Sequence, residues 1–166
     1  MYMKELTAQS ERLLSVKAES IPEELRVRPQ WVVWKAVGDK PDKVPYSPRT
    51  GRRASSTDLL TWGTFEEALQ AYENGEYAGV GLVFSTGDPF TGIDLDNCVN
   101  EDGEIALLAL EIVRYFDSYT ELSATGSGLH IIVRGEVPNR RKGNVEVYSS
   151  KRFFTVTGHV VEVSGD

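Results

Sequence analysis

The chain has one cysteine, Cys98, and two histidines, His130 and His159. A single thiol cannot build a disulfide framework, so a reducing cytoplasmic setting is expected. Two histidines far apart in sequence disfavour a histidine-rich metal centre. They also leave no paired-histidine motif of the kind a rolling-circle initiator nuclease would use beside a nucleophilic tyrosine. Long apolar runs are missing too: nothing approaches the roughly 18 residues that would suggest a transmembrane helix. The start, Met1-Tyr2-Met3-Lys4-Glu5-Leu6, has no apolar signal core, and no membrane partner is expected. Net positive charge is absent as well. Lys and Arg number 18 against 25 Asp and Glu, for a net charge of −7. Internal repeats and low-complexity tracts are also lacking. What is present is a 166-residue chain, 40% hydrophobic and 26% charged, long enough for about one domain with a real core.

The charge is unevenly spread, and the distribution matters more than the total. Residues 26–53 hold Arg26, Arg28, Lys35, Lys40, Lys43, Arg49, Arg52 and Arg53 against Asp39 and Asp42. Residues 134–152 hold Arg134, Arg140, Arg141, Lys142, Lys151 and Arg152 against Glu136 and Glu146. Two basic islands in an acidic chain fit a local surface for a polyanion, with Arg49, Arg52, Arg53, Arg140, Arg141 and Lys142 as candidate DNA contacts. On charge alone, two solvated loops explain them equally well.

The pattern predicts a surface helix over 4–19, with Leu6, Leu13, Leu14 and Val16 as its apolar positions and Pro22 closing it or starting the next turn. Trp31–Val37 reads as a strand. Residues 38–56, with Pro41, Pro45, Pro48 and Gly51, read as a long basic loop. Thr64-Phe65-Glu66-Glu67 is a capping box that opens a helix to about Asn74. Gly79–Phe84 is an apolar strand, and Asp88-Pro89 turns into a strand carrying Asp94. Residues 104–117 predict a helix whose Ile105, Leu108, Ile112 and Phe116 form a core-facing stripe. Strands are expected at 118–122, 129–134, 144–149, 152–157 and 159–163. This order predicts an α+β fold.

Gly92-Ile93-Asp94-Leu95-Asp96 puts Asp94 and Asp96 on one face of a strand, with Ile93 and Leu95 on the other. Paired carboxylates repel unless a cation sits between them. The pair is therefore a candidate site for a hard divalent metal, on a strand expected to be central. Val145-Glu146-Val147-Tyr148 alternates in the same way and offers a third carboxylate. An EF-hand does not explain the acids, because Val99 stands where its invariant glycine would be. In Thr125-Gly126-Ser127-Gly128-Leu129-His130, glycines let backbone amides approach an anion and hydroxyls add donors. Alone, that segment reads as a plain Gly-Ser turn. Lys151 and Arg152 add positive charge close to Glu146. Together these groups suit metal-assisted phosphoryl transfer.

These residues, in this order, resemble the bifunctional DNA primase/polymerase (prim-pol) domain of phage and plasmid replication proteins, in the archaeo-eukaryotic primase superfamily. The resemblance runs over about residues 25–163. It is carried by Trp31–Lys35, Lys43–Pro48, Gly51 with 54–58, Thr61-Trp62, Gly79–Phe84, Gly92–Asn97, Tyr119-Thr120-Glu121, Gly126–His130, Glu146–Tyr148 and Arg152–His159. It implies a two-part α/β core with an RRM-like, mostly antiparallel sheet, over 25–166, preceded by a helical extension at 1–24. It implies template-dependent nucleotide addition from (d)NTP to a 3′-hydroxyl on single-stranded DNA, releasing pyrophosphate. Asp94, Asp96 and Glu146 match the acids that hold Mg²⁺ or Mn²⁺ in a two-metal site. His130 matches the histidine that contacts the incoming triphosphate, and Arg152 a basic residue beside it. Gly128 stands where the usual motif has serine, so Ser127, Thr125 or backbone amides would take that contact. Lys43 is expected to touch nucleotide or template. Such proteins continue into a helical accessory domain and often a helicase, so the chain is expected to be part of a larger replication protein. The alternative is a non-catalytic module that binds single-stranded nucleic acid, which predicts a broken acidic triad.

Overall fold

The computed structural model describes residues 13–38 and 42–163. Among the described residues, nine strands fall into two antiparallel sheets. The first has four strands in the order β2 (Asp42–Tyr46), β1 (Trp31–Val37), β3 (Gly79–Phe84) and β9 (Arg152–Val156). The second has five, in the order β5 (Tyr119–Leu122), β6 (Leu129–Arg134), β4 (Phe90–Leu95), β8 (Val145–Tyr148) and β7 (Arg140–Lys142). The helices are α1 (Glu23–Arg26), α2 (Phe65–Glu73) and α3 (Leu107–Phe116). The mixed α/β content and antiparallel sheets agree with the α+β expectation. Among the described residues no helix is long and apolar enough to cross a membrane.

Of three buried clusters among the described residues, a small one of Val32, Trp62 and Val83 packs on the first sheet, and the other two organise the sheets. One joins the sheets: Trp31, Val33, Val80, Leu82, Phe84, Phe154 and Val156 from the first meet Phe90 and Ile132 from the second. Helix α2 seals it with Phe65 and Ala68, and the Phe65 ring meets the Trp31 ring edge-on at 4.9 Å. The capping box forms as expected: Thr64 accepts the Glu67 amide at 3.2 Å, and Glu67 accepts the Thr64 amide at 3.0 Å. The second cluster lies behind the five-stranded sheet. There Ile93, Leu95, Leu129 and Ile131 pack on Ala109 and Val113 of α3. Alternation along the strands therefore gives the back of this sheet to α3 and leaves the Asp94 face toward the first sheet.

Four local expectations are corrected. The helix over 4–19 falls outside the described residues at 4–12 and does not form over 13–17. There the Leu14 amide donates to the Ala124 carbonyl and the Lys17 amide to the Thr157 carbonyl, both at 2.8 Å. Those outside partners compete with the helical ones, and Ala18–Ser20 makes only a 3-10 turn. Just after it, Ile21 and Leu25 are buried in the inter-sheet cluster. The loop over 38–56 contains β2, because Pro45 lies in the strand on the sheet edge, where its missing N–H costs no ladder bond. The α3 stripe is shifted. Of the expected stripe, Ile105 and Ile112 do pack against the cluster behind the sheet, but the helix begins only at Leu107, and small Ala109 lets it approach, so Ala109 and Val113 are buried while Leu108 and Phe116 are 66% and 39% exposed. Residues 159–163 run beside β5 through a single Val160–Glu121 bridge rather than a ladder. The strand at β7 is an addition that its Arg-Arg-Lys sequence did not suggest.

At Gly92 the second sheet lies directly against Phe84 and Phe154 of the first. A Cβ there would lie 2.4 Å from Cε2 of Phe154 and 2.7 Å from Cε2 of Phe84. Because both rings are buried, Gly92→Ala is expected to cost about 1–3 kcal/mol through overpacking. Urea unfolding of the variant checks this, and an unchanged midpoint would contradict the packing described.

Candidate functional site

The second sheet places five side chains in one row. Antiparallel pairing sets Glu121 opposite His130, His130 opposite Asp94, Asp94 opposite Glu146, and Glu146 opposite Arg141. Residues directly opposite in such pairs share a face. A sequence segment from each of β5, β6, β4, β8 and β7 thus supplies one charged or titratable group to a single line. Strand β4, with Asp94, is the central strand of the five.

The row is buried at the β5 end. Glu121 has no exposed surface. Its Oε2 accepts the Thr157 amide at 2.9 Å, and its Oε1 accepts the Gly158 amide at 3.2 Å and the Tyr119 hydroxyl at 2.7 Å. Burial, and then the adjacent Glu121 charge, push the Tyr119 phenol far above its usual range, so it remains a donor. His130 is likewise buried. Its Nδ1 donates to the Thr155 carbonyl at 3.0 Å and lies 3.6 Å from Glu121 Oε2, while Nε2 lies 3.4 Å from Asp94 Oδ1. The ring stacks on Phe154 with centroids 4.6 Å apart. Burial alone would lower the imidazole pKa, but the Asp94 and Glu121 carboxylates on its two sides outweigh it and hold it up at about 9.

The row opens toward solvent at Asp94. Burial would raise the Asp94 carboxyl, but the hydrogen bond and charge of His130, with Lys43 beyond, bring it below the usual range. Asp96, more exposed, is raised by desolvation and then by the negative charges of Asp94 and Glu146. Lys43 opposes that rise. Arg141 Nε lies 3.4 Å from Glu146 Oε1. One cation from each basic island therefore reaches the acids, Lys43 from edge strand β2 and Arg141 from edge strand β7.

The remaining expected residues are placed unequally. Arg152 stands over the Tyr148 ring at 5.5 Å, one strand repeat from Glu146. The turn before His130 abuts the acids, and a Cβ on Gly128 would lie 2.7 Å from the Leu95 carbonyl. That close approach is why glycine occupies position 128. The turn keeps its glycine amides to itself: Gly126 N–H goes to the Ser123 carbonyl at 2.8 Å and Gly128 N–H to Ser123 Oγ at 3.0 Å. Thr125 and Ser127 are exposed, with their hydroxyls 2.7 Å apart. Arg49 is engaged by Glu67, its Nε 2.8 Å and 2.9 Å from the two carboxylate oxygens. That contact takes the Glu67 carboxyl down to about 2. Arg52 and Arg53 are exposed in the segment after β2. Arg140 and Lys142 alternate with Arg141 along β7 and so face away from the acid row. Arg140 instead borders a cleft of about 930 Å³ that also includes Ile93, Val133 and Val147.

Sequence reading assigned no role to Glu121. Its signal was available in the hairpin: a turn over 123–128 closing two strands sets residue 121 opposite residue 130. Among the described residues, no three Asp, Glu, His or Cys side chains form a ready-made metal cage. The donor set is nevertheless all oxygen on the open side, and the Asp96 carboxyl, raised first by desolvation and then by the charges of Asp94 and Glu146, is a group whose charged form a cation would favour. Mg²⁺ in particular is commonly held by one or two carboxylates together with substrate phosphates rather than by a full protein cage. The residues fit such an ion.

No protein family profile matches the chain. The chain is similar to the DNA primase-polymerase of Nitratiruptor phage NrS-1, with 38% identity over 146 residues. The match covers 82% of this chain and 20% of that protein, so the chain spans about a fifth of its relative's length.

The row makes a pH prediction. The His130 pKa is raised on folding, so its stabilisation is full below its ordinary value of 6.5 and is lost as pH rises through about 9. Between about pH 6 and about pH 10 the wild type is expected to lose on the order of 3 kcal/mol relative to His130→Gln. Denaturant unfolding across that range measures it, and parallel stability curves for the two proteins would refute the assignment.

Proposed function

We propose that the chain is the nucleotidyl-transfer part of a DNA primase-polymerase. It joins a (d)NTP to a 3′-hydroxyl on a single-stranded DNA template and releases pyrophosphate. The observation that carries this reading is the row itself: Asp94 and Glu146 are paired side by side on adjacent interior strands, Asp96 follows just past the end of β4 and interacts with both, and Lys43 and Arg141 reach the acids from edge strands. Similarity to a phage DNA primase-polymerase over most of the chain supports it.

In this reading Asp94, Asp96 and Glu146 hold Mg²⁺ or Mn²⁺. The bound ion supplies Lewis-acid stabilisation of the phosphates and lowers the pKa of the attacking hydroxyl. The chain's own residues do the rest. Lys43, Arg141 and Arg152 offset charge on the triphosphate, which suits a reaction whose catalysis is mostly positioning and electrostatics. The exposed hydroxyls of Thr125 and Ser127, in the turn whose Gly128 packs near Asp96, are donors for the triphosphate. His130, buried with Nε2 toward Asp94, acts on that carboxylate rather than touching the nucleotide directly. Arg52 and Arg53 lie along the template path, while Arg49 is committed to Glu67. A module that only binds single strands has no use for three clustered carboxylates, since each repels phosphate.

Primer extension with Mg²⁺ or Mn²⁺ tests the reading. Asp94→Asn, Asp96→Asn or Glu146→Gln is expected to lower extension at least about a hundredfold while the fold persists. A chelator abolishes extension in the wild type. Retained extension in folded Asp94→Asn would sink the assignment. Replacing Arg52 and Arg53 by Ala is expected to reduce the salt dependence of template binding by about two phosphate contacts. An unaltered salt slope would remove them from the template path.

A further inference from the structure

Nucleotidyl transfer as proposed leaves Glu121 without a part. A fully buried carboxylate is costly, because several kcal/mol of hydration are lost per ion unless its partners restore them. Its partners here are two backbone amides, the Tyr119 phenol and the His130 imidazole. The amides and the phenol are neutral, and neutral acceptors serve such groups elsewhere in the fold. The Ser123 carbonyl and Ser123 Oγ, for instance, take amides in the turn before His130. The negative charge itself is matched, among the contacting groups, only by His130.

His130 is held by three groups. Phe154 lies against its face, and the Thr155 carbonyl and Glu121 Oε2 both face Nδ1. A flipped ring would turn a carbon toward the Thr155 carbonyl and forfeit the charge of Glu121. That leaves Nε2 aimed at Asp94 Oδ1. Glu121 in turn cannot swing away, since its two oxygens are tied to Thr157, Gly158 and Tyr119. The order of restraint runs from the backbone at 157–158, through Glu121 and the ring, to Asp94.

We propose that Glu121 is a positioning residue of the acid site: it holds the His130 ring with Nε2 on Asp94 Oδ1, so that the Asp94 carboxylate presents its other oxygen to a divalent cation. This rests on reading Asp94 as a metal ligand. It adds a residue two strands away from Asp94 whose action passes through His130. Partners of this kind, behind a ligating side chain, typically change metal affinity or activity by about 10–100-fold when lost.

A double-mutant cycle with Mn²⁺ alone as the probe tests it, free Mn²⁺ being read by electron paramagnetic resonance. Glu121→Gln keeps the side-chain volume and removes the charge. It is expected to weaken Mn²⁺ binding about tenfold or more. In a His130→Gln background the same change is expected to have no further effect, because its path is already cut. A merely structural Glu121 would give the same loss in both backgrounds, and that result overturns the inference. So does unchanged Mn²⁺ affinity in folded Glu121→Gln. Asp94→Asn separates this failure from failure of the metal reading. If Asp94→Asn keeps wild-type Mn²⁺ binding, the metal reading falls; if only Asp94→Asn loses it, the positioning role alone falls. Should Glu121→Gln not fold, Tyr119→Phe decides, since it removes one donor to Glu121 and no charge. It is expected to weaken Mn²⁺ about two- to threefold, and unchanged affinity in that folded variant overturns the inference.

Discussion

The register of β4 between β6 and β8 is the constraint on which the site depends. Side chains on a strand alternate with period two, so a slip of one residue would send Asp94 to the helix side and Ile93 to the face toward the first sheet. Such a slip would bury two carboxylates against Ala109 and Val113, where nothing could pair them. The apolar back of the sheet thus enforces the polar front. Leu129, Ile131, Ile93 and Leu95 must face α3, and that choice brings His130, Asp94 and Glu146 into line.

Electrostatics then grade the row. At the buried end, Glu121 and His130 compensate each other and are saturated with backbone partners. At the open end, His130 holds the Asp94 carboxyl below its usual range, while desolvation and then the charges of Asp94 and Glu146 raise Asp96. Lys43 opposes the rise at Asp96, and Arg141 lies beside Glu146. An acidic chain with a net charge of −7 can still present a surface for a polyanion, because Lys43 and Arg141, one from each basic island, lie on sheet-edge strands and act on the acids. Net charge describes the whole molecule, whereas a phosphate responds to the field within about a Debye length.

Much of this was legible in the sequence where the pattern was local. The capping box of Thr64 and Glu67, the strands at Trp31–Val37 and Gly79–Phe84, and the alternation around Asp94, His130 and Glu146 all rest on neighbours a few residues away. Less was legible where tertiary partners compete with local preference. Residues 13–17 lose their helix to carbonyls of Ala124 and Thr157. Pro45 marks a turn by composition, yet is tolerated in an edge strand. The α3 stripe is set by how closely Ala109 allows the helix to approach, which periodicity over ten residues cannot distinguish from the neighbouring phase.

The sequence by itself determined which groups share a face, because strand alternation is a property of the covalent backbone. It therefore specified that Asp94 goes with Asp96, that Glu146 goes with Tyr148, and that His130 is opposed to Leu129 and Ile131. Only the tertiary structure decided which faces meet. Strand pairing set Glu121 behind His130 and Arg141 beside Glu146 and turned Arg140 away from the acids, while the chain's path paired the exposed Arg49 with Glu67. Those outcomes depend on contacts between residues tens of positions apart, whose registers are chosen by the shared burial of the two cores and not by any one segment.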